Sequence, residues 1–166
     1  MATFPKDVQD LAATVLALAR AKGIKLATAE SCTGGLVAGA LTAIAGSSDV
    51  VEGGLVTYSY AAKSRLLGVD PALLAQHGAV SEPVARAMAE GALGALDVDL
   101  AVAVTGVAGP GGGSADKPVG LVHFAAAGAG GPTEHVEMRF GDVGRDEVRM
   151  ASVAAALNLF QSRLRR

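Results

Sequence analysis

The sequence predicts an α/β fold, a mixed sheet with helices on both faces, and three observations predict it. Strand-length apolar runs alternate along the chain with amphipathic segments, the pattern of strands joined by helices. The run 98–104 is nearly all apolar and leads into Thr105-Gly106, as a central strand does when helices cover both its faces. Further on, 119–127 and 134–140 flank Gly128-Ala129-Gly130-Gly131-Pro132. That is a hairpin, and its second arm sets Val136, Met138 and Phe140 inward against His135, Glu137 and Arg139, the mark of an antiparallel, half-exposed strand.

Each element follows in order. Val8, Leu11, Val15 and Leu18 recur at helical spacing and Gly23 is placed as a C-cap, so the first segment is an amphipathic packing helix. A short strand over 24–29 hands over, through Ala29-Glu30-Ser31-Cys32-Thr33-Gly34-Gly35, to an uncharged, Ala-rich helix over 36–45 that Gly46-Ser47-Ser48-Asp49 closes. The second strand, 50–59, carries Gly53 and Gly54 and so predicts a bulge or a close backbone approach, with Tyr58 at its end. A helix over 60–68 places Lys63 in its opening turns, and Asp70-Pro71 opens another short one through Ala75. Ser81-Glu82-Pro83 reads as a helix start with a capping hydroxyl, a first-turn acid and a proline where no amide bond is lost; Ala85, Met88, Ala92 and Leu96 form its buried stripe. After the central strand comes a Gly-rich loop, 105–114, and after the hairpin a last helix with Met150, Val153, Leu157, Phe160 and Leu164 on one face and Arg145 at its start.

Composition narrows the function. A chain of 166 residues fits one domain with one core. Its mean hydropathy of +0.40 invites a membrane reading, but Gly, Ser and Thr break the longest uncharged stretches, so no transmembrane helix is predicted. The opening segment Met1-Ala2-Thr3-Phe4-Pro5-Lys6-Asp7 runs into charged, amphipathic sequence unlike a signal peptide, and the expected location is cytoplasmic. The single cysteine, Cys32, excludes an internal disulfide and any Cys-rich zinc site, and the three histidines are scattered without metal spacing. A net charge of −2 with no basic run before the last residues argues against nucleic acid. A small-molecule ligand is expected, with no membrane partner.

Ser31 is the candidate nucleophile because it sits at a strand-to-helix turn. Gly34 and Gly35 let backbone approach a ligand there, and the free amides of a helix start attract a developing oxyanion. The competing reading makes Ser31 or Thr33 a plain helix cap. Lys63, near the positive end of its helix and partly buried, would have a lowered pKa and could serve as a base; the alternative is a solvated lysine. The 105–114 loop either wraps a ligand or is a bare surface loop, and without a Gly-Lys-Ser or Gly-Lys-Thr end it is no ATP-binding P-loop. Arg145 is either held to meet an anion or solvated beside Asp142 and Asp146.

Taken together, the 29–35 turn, Ala45-Gly46-Ser47-Ser48, Val56-Thr57-Tyr58-Ser59, Gln76-His77-Gly78-Ala79-Val80-Ser81 and Thr105-Gly106-Val107-Ala108-Gly109-Pro110 through Lys117-Pro118-Val119-Gly120 resemble the CinA C-terminal domain family, in order over about residues 8–159. The resemblance implies a three-layer α/β/α sandwich around a mixed, mostly parallel sheet of about five strands. It also implies the activity of the stand-alone members, hydrolysis of nicotinamide mononucleotide to nicotinic acid mononucleotide and ammonia, with neither cofactor nor metal. The larger members' N-terminal domain, associated with ADP-ribose pyrophosphatase activity, is not expected here. Family chemistry carries over onto Ser31 as nucleophile, Lys63 as base and Tyr58 to relay or orient the proton. The substrate-binding set expected with them is Thr33, Gly34, Gly35, Thr105, Gly106, Gly109 and Arg145, with Gly34-Gly35 or Thr105-Gly106 amides facing the oxyanion. Cys32 is the rival nucleophile, disfavoured as a small residue one place further round the turn. A homo-oligomer, a dimer first, is the expected assembly. The alternative function is a nucleotide-binding regulatory module without turnover.

Overall fold

The computed structural model describes residues 3–166; Met1 and Ala2 of the opening segment lie outside the described residues. Five strands form one sheet: β1 (Leu26–Glu30), β2 (Val51–Val56), β3 (Leu100–Gly106), β4 (Leu121–Gly128) and β5 (Gly131–Arg139), in the order β2-β1-β3-β4-β5. β1 pairs in parallel with β2 and with β3, and β4 pairs antiparallel with β3 and β5. β4 therefore runs against the others, and β3 is the middle strand, as its apolar sequence predicts.

Helices lie on both sides. α1 (Lys6–Lys22), α2 (Leu36–Thr42) and α6 (Arg145–Leu164) cover one face, where Leu26, Val102, Val104 and Phe124 meet Leu16, Leu41, Leu157 and Phe160. α3 (Tyr60–Leu67), α4 (Pro71–His77) and α5 (Glu82–Ala95) cover the other. That second face is built from alanines, Ala27, Ala29, Ala101, Ala103 and Ala125, so α5 sits close to the sheet. Fully burying each of the larger side chains contributes about 1.5 to 3 kcal/mol before chain entropy is set against it. Among the described residues no helix is long and apolar enough to cross a membrane.

Several local expectations need correcting. β1 and β3 start later than expected and run on to Glu30 and Gly106, because their pairing extends to the site end of the sheet. α2 stops at Thr42, short of Ala45. The bulge in β2 falls at Glu52, since Leu26 pairs with Val51 and Ala27 with Gly53. Gly54 is the close approach: a Cβ there would stand 2.6 Å from Thr28 Oγ1 and 2.8 Å from Ala38 Cβ. Ser81 precedes α5 but caps nothing; its hydroxyl donates to the Gly78 carbonyl at 2.8 Å. The hairpin turn is shorter than expected because β5 begins at Gly131, and this edge strand is half exposed on both faces, Met138 included.

Candidate active site

The parallel strands β1, β2 and β3 end on the same side of the sheet, and the connection from β1 leaves toward one helical layer while that from β2 leaves toward the other. The crevice at such a reversal is where open α/β sheets bind ligands. Ser31 stands in it, the residue after β1, with its amide donating to the Val104 carbonyl of β3 at 2.9 Å. A cavity of about 270 Å³ opens here, walled by Ser31, Cys32, Tyr58, Lys63, Ala79, Val80, Arg145 and the 105–112 segment.

Strand alternation separates two neighbours. Glu30 faces the α2 and α6 layer, and Ser31 faces α3. There Lys63, the fourth residue of α3, donates from Nζ to Ser31 Oγ at 3.0 Å and to the Thr57 carbonyl at 2.7 Å. Lys63 is 1% exposed, so the partial burial expected of it is in fact complete. Its helix is capped by Ser59, whose side chain accepts from the Ala62 amide, and stopped by Gly68 at φ 66°, which fixes the lysine's height above the turn. Burial lowers the Lys63 pKa, because an ammonium loses more than an amine on leaving water.

The helix start beside Ser31 is capped neither by Ser31 nor by Thr33. The Glu30 carboxylate accepts from the amides of Gly35 (3.1 Å), Val37 (3.0 Å) and Ala38 (2.8 Å), from Thr33 Oγ1 (2.7 Å) and from Thr28 Oγ1 (3.1 Å). A buried carboxylate is tolerable only with its lone pairs satisfied in this way, and the positive end of α2 favours it further. The Gly34 amide donates to the Ser31 carbonyl at 3.0 Å. The amides of Gly34 and Gly35 are thus taken, and the structure does not bring them into the cavity as oxyanion donors. Thr33 is fully buried beneath the turn.

Of the other expected residues, Thr105, Gly106, Gly109, Tyr58 and Arg145 line the cavity. Thr105 Oγ1 donates to the Ala79 carbonyl at 2.9 Å and so holds the Ala79-Val80 wall in place. Arg145 donates to the Gly109 carbonyl at 2.8 Å and to the Tyr58 hydroxyl at 3.1 Å. Tyr58 is 64% exposed at the mouth, and its hydroxyl makes no bond to Ser31 or Lys63. Cys32 is buried, and burial pushes its thiol up to about 11, Glu30 adding to the rise while its own amide, Lys63 and Arg149 pull against it.

Sequence reading missed two charged residues of the turn. Glu30 is one. Arg149 is the other, donating through Nε to the Cys32 carbonyl at 3.1 Å and through a terminal nitrogen to the Thr33 carbonyl at 3.2 Å. The available signals were an acid within a few residues of a helix start, and an arginine one helical turn after Arg145 on the same face.

The family model described as the CinA C-terminal domain matches residues 8–164. CinA-like proteins of Synechococcus sp. (strain RCC307) and Mycobacterium leprae (strain TN) are 56% and 52% identical to it over 97% and 95% of this chain. Those matches cover 39% and 36% of the relatives, so the chain spans about two fifths of their length. Among solved structures, the competence/damage inducible protein CihA from Agrobacterium tumefaciens superposes with a TM-score of 0.97 at 52% identity, covering 100% of both chains. A competence-damaged protein (CinA) superfamily protein from Escherichia coli gives 0.89 at 35% identity, covering 98% of this chain and 94% of that one.

Proposed function

The chain belongs to the CinA C-terminal domain family, and from that premise we propose that it is an amidohydrolase converting nicotinamide mononucleotide and water to nicotinic acid mononucleotide and ammonia. The observation that carries the reading is the buried Lys63 on the Ser31 hydroxyl, with a cavity in front of both. As a neutral amine, Lys63 accepts the Ser31 proton while Oγ attacks the carboxamide carbon. It then gives that proton to the departing nitrogen, leaving an ester on Ser31. Water attacks the ester, Lys63 takes its proton and returns it to the leaving Ser31 Oγ, and the product acid ionises to the carboxylate. Since the Gly34 and Gly35 amides are engaged, and the Val107 amide donates to the Leu121 carbonyl, the Cys32 and Thr33 amides and those of Ala108 and Gly109 serve as oxyanion donors. The 109–114 loop and Arg145 take the phosphate.

The names of the solved relatives, competence or damage inducible, describe a circumstance and no chemistry, so they neither add to this reading nor compete with it. The test is ammonia release from nicotinamide mononucleotide by the purified protein, with Ser31→Ala as control. Binding of the mononucleotide without ammonia refutes turnover and leaves the regulatory module.

A further inference from the structure

The turn that presents Ser31 is gripped from two sides, and neither grip touches the nucleophile. On the amide side, Glu30 accepts from Gly35, Val37 and Ala38 at 2.8 to 3.1 Å. On the carbonyl side, Arg149 reaches in from α6 to Cys32 and Thr33 at 3.1 and 3.2 Å. Between the grips lie Gly34 and Gly35, at φ 59° and 99°. Left-handed glycines are backbone with little intrinsic stiffness, so the place of a hydroxyl on this turn depends on what holds the turn from outside.

We propose that Arg149 is a positioning residue for Ser31, fixing the turn so that the hydroxyl meets Lys63 and substrate at the reactive distance. The proposal rests on the hydrolytic reading above. Arg149 is half-buried and lies outside the cavity wall, so it has no part in holding substrate. It is not bonded to Lys63, whose hydrogen bonds go to Ser31 and Thr57, so it does not set the base. Arg145, one turn earlier on α6, does line the cavity, and the two arginines divide the work of one helix face. The planar guanidinium is suited to the task because it donates in parallel to two successive carbonyls, which a lysine cannot. A misplacement of about 1 Å at a reacting group can cost about a hundredfold in rate, so the effect belongs in turnover.

The experiment compares Arg149→Ala and Arg149→Lys with the wild-type chain at matched folded fraction. One readout is ammonia release from nicotinamide mononucleotide across pH, and the other is labelling of Ser31 by a fluorophosphonate probe, followed by mass spectrometry. In Arg149→Ala, kcat is expected to fall by about ten- to a hundredfold with KM within about twofold. The labelling rate falls with kcat, the pH limb stays in place, and millimolar guanidinium partly restores both rates; Arg149→Lys is intermediate. Unchanged kcat and labelling overturn the proposal, as does a rise in KM alone or a displaced pH limb. If Arg149→Ala does not fold, Arg149→Lys carries the same comparison. If the wild-type chain releases no ammonia, the hydrolytic reading fails by itself, and fluorophosphonate labelling still decides whether Arg149 positions Ser31.

Discussion

Lys63 Nζ stands 3.0 Å from Ser31 Oγ and 2.7 Å from the Thr57 carbonyl, and among the described residues no carboxylate bonds to it. A structural lysine at this depth would be paired, since an unpaired buried ammonium is costly. Here the positive form is left without a counter-ion while the neutral form keeps both neighbours. The arrangement therefore favours loss of the proton, which is what a base beside a hydroxyl requires.

Lys63→Arg is expected to abolish deamidation, because a guanidinium keeps the charge and does not lose its proton in a protein. In the wild-type enzyme the rate should rise with pH along a limb set below the free-lysine value of about 10.4, since burial lowers the Lys63 pKa. Lys63→Met serves as a companion that needs no extra room. Near-native turnover in Lys63→Arg at matched folded fraction would remove the Ser/Lys mechanism and make Tyr58 the next base to examine.

Ser31→Ala should lose activity and keep its fold, and Cys32→Ala should lose little. The thiol is buried and its pKa is pushed up to about 11, so at neutral pH it is protonated and a poor nucleophile. Iodoacetamide should alkylate Cys32 slowly at pH 8, the rate climbing about tenfold per pH unit with no plateau before about 11. An inactive Cys32→Ala beside an active Ser31→Ala reverses the assignment of the nucleophile.

How much of this was legible in the sequence depends on the range of the interaction. The layering was readable because 98–104 is apolar on both faces and 134–140 alternates, and those are local patterns. Ser31 and Lys63 were readable because a hydroxyl at a strand-to-helix turn and a lysine near a helix start are short motifs, and the family resemblance named the pair. Glu30 and Arg149 were not. A glutamate before a helix and an arginine within one read as surface charges, and only the packing of α2 against β1 and of α6 against α2 shows that the turn's amides and carbonyls become their partners. Ser81 misled in the opposite sense, since capping residues also bond backward to the preceding turn.

Gly91→Ala should destabilise the protein although it sits within helix α5. Alanine improves helix propensity by about 1 kcal/mol, but its Cβ would stand 1.9 Å from the Leu67 carbonyl oxygen at the end of α3. Relief requires backbone to move, and overpacking of that kind costs about 1 to 3 kcal/mol or more. Because α3 carries Lys63, activity per folded molecule should fall too. A urea midpoint at or above wild type refutes the contact.

His123 and His135 form a pair, Nδ1 to Nε2 at 2.9 Å with rings stacked 5.1 Å apart. Burial chiefly holds both pKa values below the ordinary imidazole value; His135 and Lys117 lower His123 further and Arg86 lowers His135, while Glu82 and Glu137 act against the shift in both. The unfolded chain therefore binds more protons below about pH 6.5, and stability is lost as pH falls from there. Urea midpoints at pH 6.5 and 5.5, above the carboxylate range, should differ less in His123→Gln than in wild type. An equal difference in both would show that the pair contributes nothing to acid sensitivity.

Arg145 bridges the cavity mouth from the Tyr58 hydroxyl to the Gly109 carbonyl. Both partners are neutral, so an arriving phosphate offers the guanidinium a stronger, charge-assisted partner without taking it from a carboxylate. A charge-assisted contact is worth about 1.5 to 3 kcal/mol, which places the expected rise in KM for Arg145→Ala at roughly tenfold or more. The chemistry at Ser31 and Lys63 does not involve this side chain, so kcat should change little. The nucleoside without its phosphate provides the control: if Arg145 meets the phosphate, the variant and wild type should handle the nucleoside alike. An unchanged KM for the mononucleotide in Arg145→Ala takes Arg145 out of phosphate binding and leaves the loop amides of 109–114 to hold it alone.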